Sequence, residues 1–236
     1  MPFSVSDSKE LSGLKAGTTI DFVLEDHGGK PYATKIKIRE FQSMELDPTA
    51  ARRLKGVEAA LTSSGPKAVA VGQQVPDFTL TDQNRREVSF SQLKGKVVAI
   101  TFMYTRCPFP TYCVRLSDNL ARLQKRFQGR IGRDLILLSI VIDAAHDDPA
   151  TLKKYSRKWN ADPVGWHFLT GPSDRIQSIC RYFDMNYYPD EGLYIHSFHT
   201  AVVDRHGRMV ANLEGNEFTA QQLGDLVDSV LNGSQQ

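Results

Sequence analysis

Val98-Ala99-Ile100-Thr101-Phe102-Met103-Tyr104-Thr105-Arg106-Cys107-Pro108-Phe109-Pro110-Thr111-Tyr112-Cys113 decides the fold. A continuous apolar run, read as a buried strand over 97–103, reaches Thr105 and Arg106, and two cysteines then bracket a loop carrying two prolines. Behind them Leu116, Leu120, Leu123 and Phe127 recur at helical spacing, which predicts a helix over 114–128. A strand that delivers two thiols to the start of a helix is a chemical arrangement. Backbone N–H groups and the positive helix end lower a thiol's pKa, and the thiolate is both nucleophile and soft-metal ligand.

Outward from this stretch, the pattern is that of an α/β domain. Pro76–Leu80 and Glu87–Phe90 read as a hairpin around Asp82-Gln83-Asn84, and Leu135–Ile142 is a second near-continuous apolar run suited to a central parallel strand. Asp148-Pro149 reads as an N-cap with proline at the first helical position, followed by Leu152, Tyr155 and Trp159 on one face. A short strand over 167–170 follows, and Ser173 is expected to cap a helix bearing Ile176, Ile179, Cys180 and Phe183. Tyr187–Gly192 reads as a loop, Phe198–Val203 and Met209–Leu213 as strands around an Arg205-His206-Gly207 turn, and Thr219 with Gln222 as the capping box of a last helix. The expected domain spans 75–233 and is thioredoxin-like: a central mixed sheet with flanking helices.

Two further regions precede it. Residues 1–45 contain alternating runs, Thr18–Glu25 and Thr34–Glu40, around Gly28-Gly29-Lys30-Pro31, a β-hairpin with one wet face. An isolated hairpin is marginal in water, so it packs on something or belongs to a larger β unit. Residues 46–74 are read as a linker with a helix-like patch over 50–61, broken by Ser63-Ser64-Gly65-Pro66.

The totals exclude several classes. With 29 basic against 27 acidic residues the net charge is +2, and no basic run is interleaved with aromatics, which argues against a nucleic-acid binder. No apolar run approaches the roughly 20 residues of a membrane span. Met1-Pro2-Phe3-Ser4 lacks the charged and apolar regions of a signal peptide, so a role outside the cytoplasm implies a chain that is mature, truncated or assigned a late start. Three cysteines suit one functional pair and one spare.

Cys107 and Cys113 are the pair, with five residues between them. Cys180, in phase with core positions, reads as a buried hydrophobe. Two thiolates select a soft ion such as Cu(I), and an imidazole can complete the set. Of six histidines, His27 and His206 fall in turns and His167 reads as structural. His146 follows the strand ending at Asp143 and is expected near the thiol end of the sheet. His196 and His199, three apart in an extended stretch, point to opposite faces, so at most one reaches the thiols without a bend.

The domain resembles the SCO/SenC family of copper-handling proteins, which are linked to cytochrome c oxidase assembly. The resemblance runs over about residues 72–233 and is carried by Val75–Leu80, Gly95-Lys96-Val97-Val98, Phe102–Pro108, Ser139–Asp143 with Asp147-Asp148-Pro149, and Tyr194-Ile195-His196-Ser197. It implies a copper site of Cys107, Cys113 and a distal histidine. His196 matches the family position, with an apolar pair before it, Ser197 after it and Gly207 about ten residues on; His199 is the alternative. It also implies a metallochaperone for the oxidase's binuclear copper-centre subunit, placed outside the cytoplasm, in the periplasm, anchored or free. The departure is the loop: the family has three residues between the cysteines, this chain five. Met1-Pro2-Phe3, Leu14–Gly17 and Ile20-Asp21-Phe22 resemble the closing part of the small periplasmic copper/silver-binding β-barrel (CusF-like) family.

The competing reading is an enzyme, a thiol–disulfide oxidoreductase with Cys107 and Cys113 as redox pair and a thioredoxin-like reductant as partner. Arg106 in place of the usual tryptophan, and the wider spacing, weigh against it. A peroxiredoxin is disfavoured because Met103 and Tyr104 occupy the place of the expected threonine.

Overall fold

The computed structural model describes residues 4–5, 7–14, 20–26, 31–38, 67–190 and 192–233. The chain divides into two compact units, Met1–Ser63 and Ser64–Gln236.

In the first unit, β1 (Ser4–Val5), β2 (Ile20–Asp26) and β3 (Pro31–Ile38) form a sheet in the order β1-β3-β2. β2 and β3 pair antiparallel, as the alternating runs require, and β1 adds in parallel to β3. A tight turn over Ser8–Leu11 is tied to β3 by the Glu10 carboxylate, which accepts the Ile36 N–H at 2.8 Å. Met1-Pro2-Phe3, the expected turn at 28–30 with His27, and the helix-like patch over 50–61 lie outside the described residues.

The second unit is built on β4 (Thr79–Asp82), β5 (Glu87–Ser89), β6 (Val97–Met103), β7 (Leu135–Val141), β8 (Trp166–Thr170), β11 (His199–Val203) and β12 (Met209–Glu214), in the order β12-β11-β6-β7-β8-β4-β5. β6, β7 and β8 are parallel, and β4, β5, β11 and β12 extend the sheet antiparallel on either side. Four helices flank it: α1 (Arg115–Arg126), α2 (Pro149–Lys158), α3 (Ser173–Tyr182) and α4 (Ala220–Asn232). This is the thioredoxin-like mixed sheet that the pattern predicted. Every residue of β6 and β7 is buried, as expected of parallel strands covered on both faces.

The helix faces follow their periodicity: Leu116, Leu120 and Leu123 of α1, and Ile176, Ile179 and Cys180 of α3, are all buried. Asp148 caps α2, accepting the Thr151 N–H at 2.7 Å. At α4 the capping box is complete, with the Gln222 N–H donating to Thr219 Oγ1 and the Thr219 N–H to Gln222 Oε1. Thr219→Ala is expected to cost about 1 kcal/mol, read as a shift of the urea midpoint. Before β4, the chain is fixed by backbone bonds from Val69 N–H to Tyr182 C=O and from Val75 N–H to Gly207 C=O.

Two expectations are corrected. Ser173 is not the cap of α3; Pro172 holds that position without a side-chain bond, and Ser173 is the first helical residue. Tyr187–Gly192 is not simply a loop. Tyr187–Asp190 (β9) pairs antiparallel with Leu193–His196 (β10), a two-stranded hairpin separate from the main sheet. Pro189 is accommodated because an edge strand of two has one free side on which a missing N–H is harmless.

Candidate functional site

β6 ends under the site, and Tyr104, the next residue, is buried. The chain then turns through Thr105 and Arg106 into the long Cys107–Cys113 loop. Pro110–Val114 makes a wide helical turn kinked at Tyr112 (φ −111°, ψ −109°), and α1 starts at Arg115. Cys113 thus sits just before the positive end of a helix, 1% exposed, while Cys107 is partly exposed.

The two thiols have opposite character. A hydrogen bond from Cys113 holds the Cys107 thiolate, with further help from backbone groups and the Tyr104 hydroxyl, and brings its pKa down to about 6 against the cost of burial. Cys113 is pushed up, first by giving its proton to that bond and then by burial. One sulfur is therefore charged near neutral pH and its partner holds the shared proton.

His196 closes β10 and faces them. Its Nδ1–H donates to the Ser197 carbonyl at 2.8 Å, so Nε2 carries the lone pair, and Nε2 stands 3.9 Å from Cys113 Sγ. Burial lowers the His196 pKa, with the Ser197 bond opposing, so the ring is neutral. A deprotonated sulfur, a second thiol bonded to it and a neutral imidazole nitrogen aimed at that second sulfur are the donor chemistry a soft cation takes. Among the described residues no three His, Cys, Asp or Glu side chains form a ready-made metal-holding group, so the donors meet pairwise and closure of the set requires a local shift.

The alternative histidine is elsewhere. His199 opens β11, is 5% exposed, and its Nδ1 lies 3.3 Å from Asn212 Oδ1, whose amide in turn donates to the Phe183 carbonyl. Of the two histidines, His196 stands against Cys113 and His199 against Asn212. Cys180 is fully buried in the core, and burial pushes its thiol up. His167 is structural, its Nδ1 at 3.2 Å from the buried Asp82 carboxylate.

Several residues of the site escaped sequence reasoning. Arg106 clamps the buried Asp143 carboxylate, at 2.6 Å from Nη2, and the same carboxylate takes His146 Nδ1 at 2.8 Å. Arg106 also reaches the Gly192 carbonyl of the β9–β10 turn at 3.4 Å. His146 thus approaches the thiol end of the sheet, as its place after the strand suggested. Asp147 accepts both the N–H and the hydroxyl of Thr105, and burial raises its pKa. Aromatic rings wrap the imidazole: Tyr104 at 5.9 Å and Phe198 at 4.6 Å between centroids, with Tyr112 on Phe198 at 4.7 Å. Only the strand-end position of Asp143 was a usable signal. Ring contacts between residues so far apart in the chain leave no local pattern.

Comparison with known proteins agrees with this fold. A sequence model of the SCO1/SenC family matches residues 67–232. The SCO1 protein homolog of Bacillus subtilis is 32% identical over 110 residues, which cover 43% of this chain and 55% of that protein; the match spans about half of the relative's length. Among solved structures, BsSco, described as a member of the Sco family of cytochrome c oxidase assembly proteins with a disulfide switch, is 26% identical at a TM-score of 0.59, covering 72% of this chain and 99% of that one. Bradyrhizobium japonicum ScoI, solved with copper bound, is 27% identical at a TM-score of 0.52, covering 68% and 99%. With the family sequence model running through nearly all of the second unit, thiol loop and His196 included, the chain belongs to the SCO1/SenC family.

Proposed function

We propose that the second unit carries copper as cargo on Cys107, Cys113 and His196 and hands it to the copper-centre subunit of a cytochrome c oxidase outside the cytoplasm, in the periplasm. The observation that supports this most is the unprotonated His196 Nε2 aimed at Cys113 Sγ across 3.9 Å, with the low-pKa Cys107 bonded to the same sulfur. Loading displaces the proton that Cys113 holds, so uptake releases protons and weakens as pH falls. Cys107, the more exposed sulfur, is the first that an acceptor's ligands meet, which suits transfer by ligand exchange. Oxidation of the pair removes both thiolate donors at once.

A second reading has its own support in the unequal thiols. The Cys107 thiolate attacks one sulfur of a partner's disulfide and expels the other as thiolate. Cys113 then attacks the Cys107 sulfur in the mixed disulfide and releases the second partner thiol. The partner gains two electrons, and the oxidised pair needs a thioredoxin-like reductant to reset it.

The test is copper stoichiometry and X-ray absorption on anaerobic, fully reduced protein. Wild type and His199→Ala are expected to bind one copper through two sulfurs and one nitrogen. Cys107→Ser/Cys113→Ser is expected to lose it, and His196→Ala to lose the nitrogen and at least tenfold in affinity, the usual scale for a lost ligand or its support. Retention in His196→Ala with loss in His199→Ala would move the ligand. No copper bound, together with rapid turnover of a partner disulfide, would replace the chaperone by the oxidoreductase.

A further inference from the structure

Five residues separate Cys107 from Cys113, and the path of that loop places an aromatic ring. The kink at Tyr112 breaks the helical path of Pro110–Val114. Its ring takes Phe109 edge-on at 5.4 Å on one side and Phe198 at 4.7 Å on the other, and Phe198 in turn lies 4.6 Å from the His196 ring. The loop is pinned in this position by the segment that follows β12. The amide of Asn216, itself buried, donates to the Thr111 carbonyl at 2.6 Å, and Arg115 donates to the Glu217 carbonyl at 2.9 Å. Tyr112 therefore meets Phe198 edge-on and Phe198 meets the His196 ring edge-on, with Cys113, the neighbour of Tyr112 in the chain, 1% exposed.

We infer that Tyr112, set by the long loop, and Phe198 form an aromatic cover that controls access to Cys113 and His196. Cys107 is partly exposed, whereas Cys113 is 1% exposed and His196 half-buried. Among the described residues the donor set is not preassembled. Complete ligation thus requires the loop to yield, and the ring contacts resist that motion. The cover sets rates of entry and exit. Tyr112 acts through its ring, as a positioning residue, and its hydroxyl is dispensable.

The test begins without metal. In a Cys107→Ser background, iodoacetamide labelling of Cys113 at fixed alkaline pH is followed by mass spectrometry, with the buried Cys180 as internal control. Tyr112→Ala and, separately, Phe198→Ala are expected to speed labelling about tenfold, the scale of losing one aromatic pair. Tyr112→Phe is expected to match the parent. A rate in both alanine variants equal to the parent's, with unchanged circular dichroism, overturns the cover. So does a Tyr112→Phe rate as high as Tyr112→Ala.

The second arm rests on the copper reading and uses the protein with both cysteines intact. Transfer of bound Cu(I) to bathocuproine disulfonate is expected to be faster in Tyr112→Ala at similar affinity. If the parent binds no copper while labelling still responds to the ring, the chaperone fails and the cover stands. If copper binds and neither rate responds, the cover fails and the chaperone stands.

Discussion

Replacing Cys113 by alanine is expected to move the pH profile of Cys107 alkylation upward from a midpoint of about 6 toward the ordinary thiol range. The hydrogen bond from Cys113 is the largest cause of the depressed value, and burial alone would push the other way. A thiol titrating near 8.5 rather than about 6 holds roughly two hundredfold less thiolate at pH 5.5. The more basic thiolate is intrinsically more nucleophilic, which recovers about tenfold. Alkylation at pH 5.5 should therefore slow by up to roughly twentyfold, while at pH 9 the variant should equal or exceed the parent. Cys113→Ser should lie between, because a hydroxyl can still donate. An unchanged midpoint in Cys113→Ala would mean that the backbone groups and Tyr104 set the pKa, and that the pair is not the unit that titrates.

Trp166→Ala should cause the largest loss of stability. Trp166 is fully buried in β8, stacks on Phe168 at 5.0 Å and donates its indole N–H to Ser139 Oγ at 3.0 Å. Truncation removes the apolar area, leaves a cavity between β7 and β8 and strips a hydrogen bond from a buried hydroxyl. The expected cost is about 3–5 kcal/mol, a large part of the ~5–15 kcal/mol that holds a domain. Urea unfolding followed through Trp159 reads the second unit selectively, since both tryptophans lie there. Trp166→Phe should lose much less. A cost below about 1 kcal/mol for the alanine variant would show that the site collapses around the gap.

Much of the fold was legible because its signals are local. A buried strand announces itself by composition, as in 97–103, and Asp148-Pro149 or Thr219 with Gln222 carry the geometry of a helix start within four residues. The β9–β10 hairpin had no such signal. Its strands are short, and the pairing of Tyr194 with Pro189 is a tertiary choice. Ser173 misled for a related reason, since a serine next to a helix is favourable both as the cap and as the first residue inside. At the site, Cys107 and Cys113 were visible from spacing, and of the two candidate histidines it is His196 that stands against a thiol, at Cys113. The Arg106–Asp143–His146 cluster and the rings around His196 were not visible. They join residues from separate loops, where neither periodicity nor motif spacing carries information.

Cys113 and His196 stand 83 positions apart in the chain and meet only through the return of β11 alongside β6. Measured along the ribosome's clock, both sulfurs emerge long before the imidazole that faces them. A chain stopped anywhere before β10 owns a reactive thiol pair with no nitrogen opposite. Completion of the site is thus a late event, tied to non-local strand pairing, the slow kind of contact in folding. A soft ion or an oxidant that arrives early meets a different molecule from the finished one, and the order of those arrivals becomes part of how the protein matures.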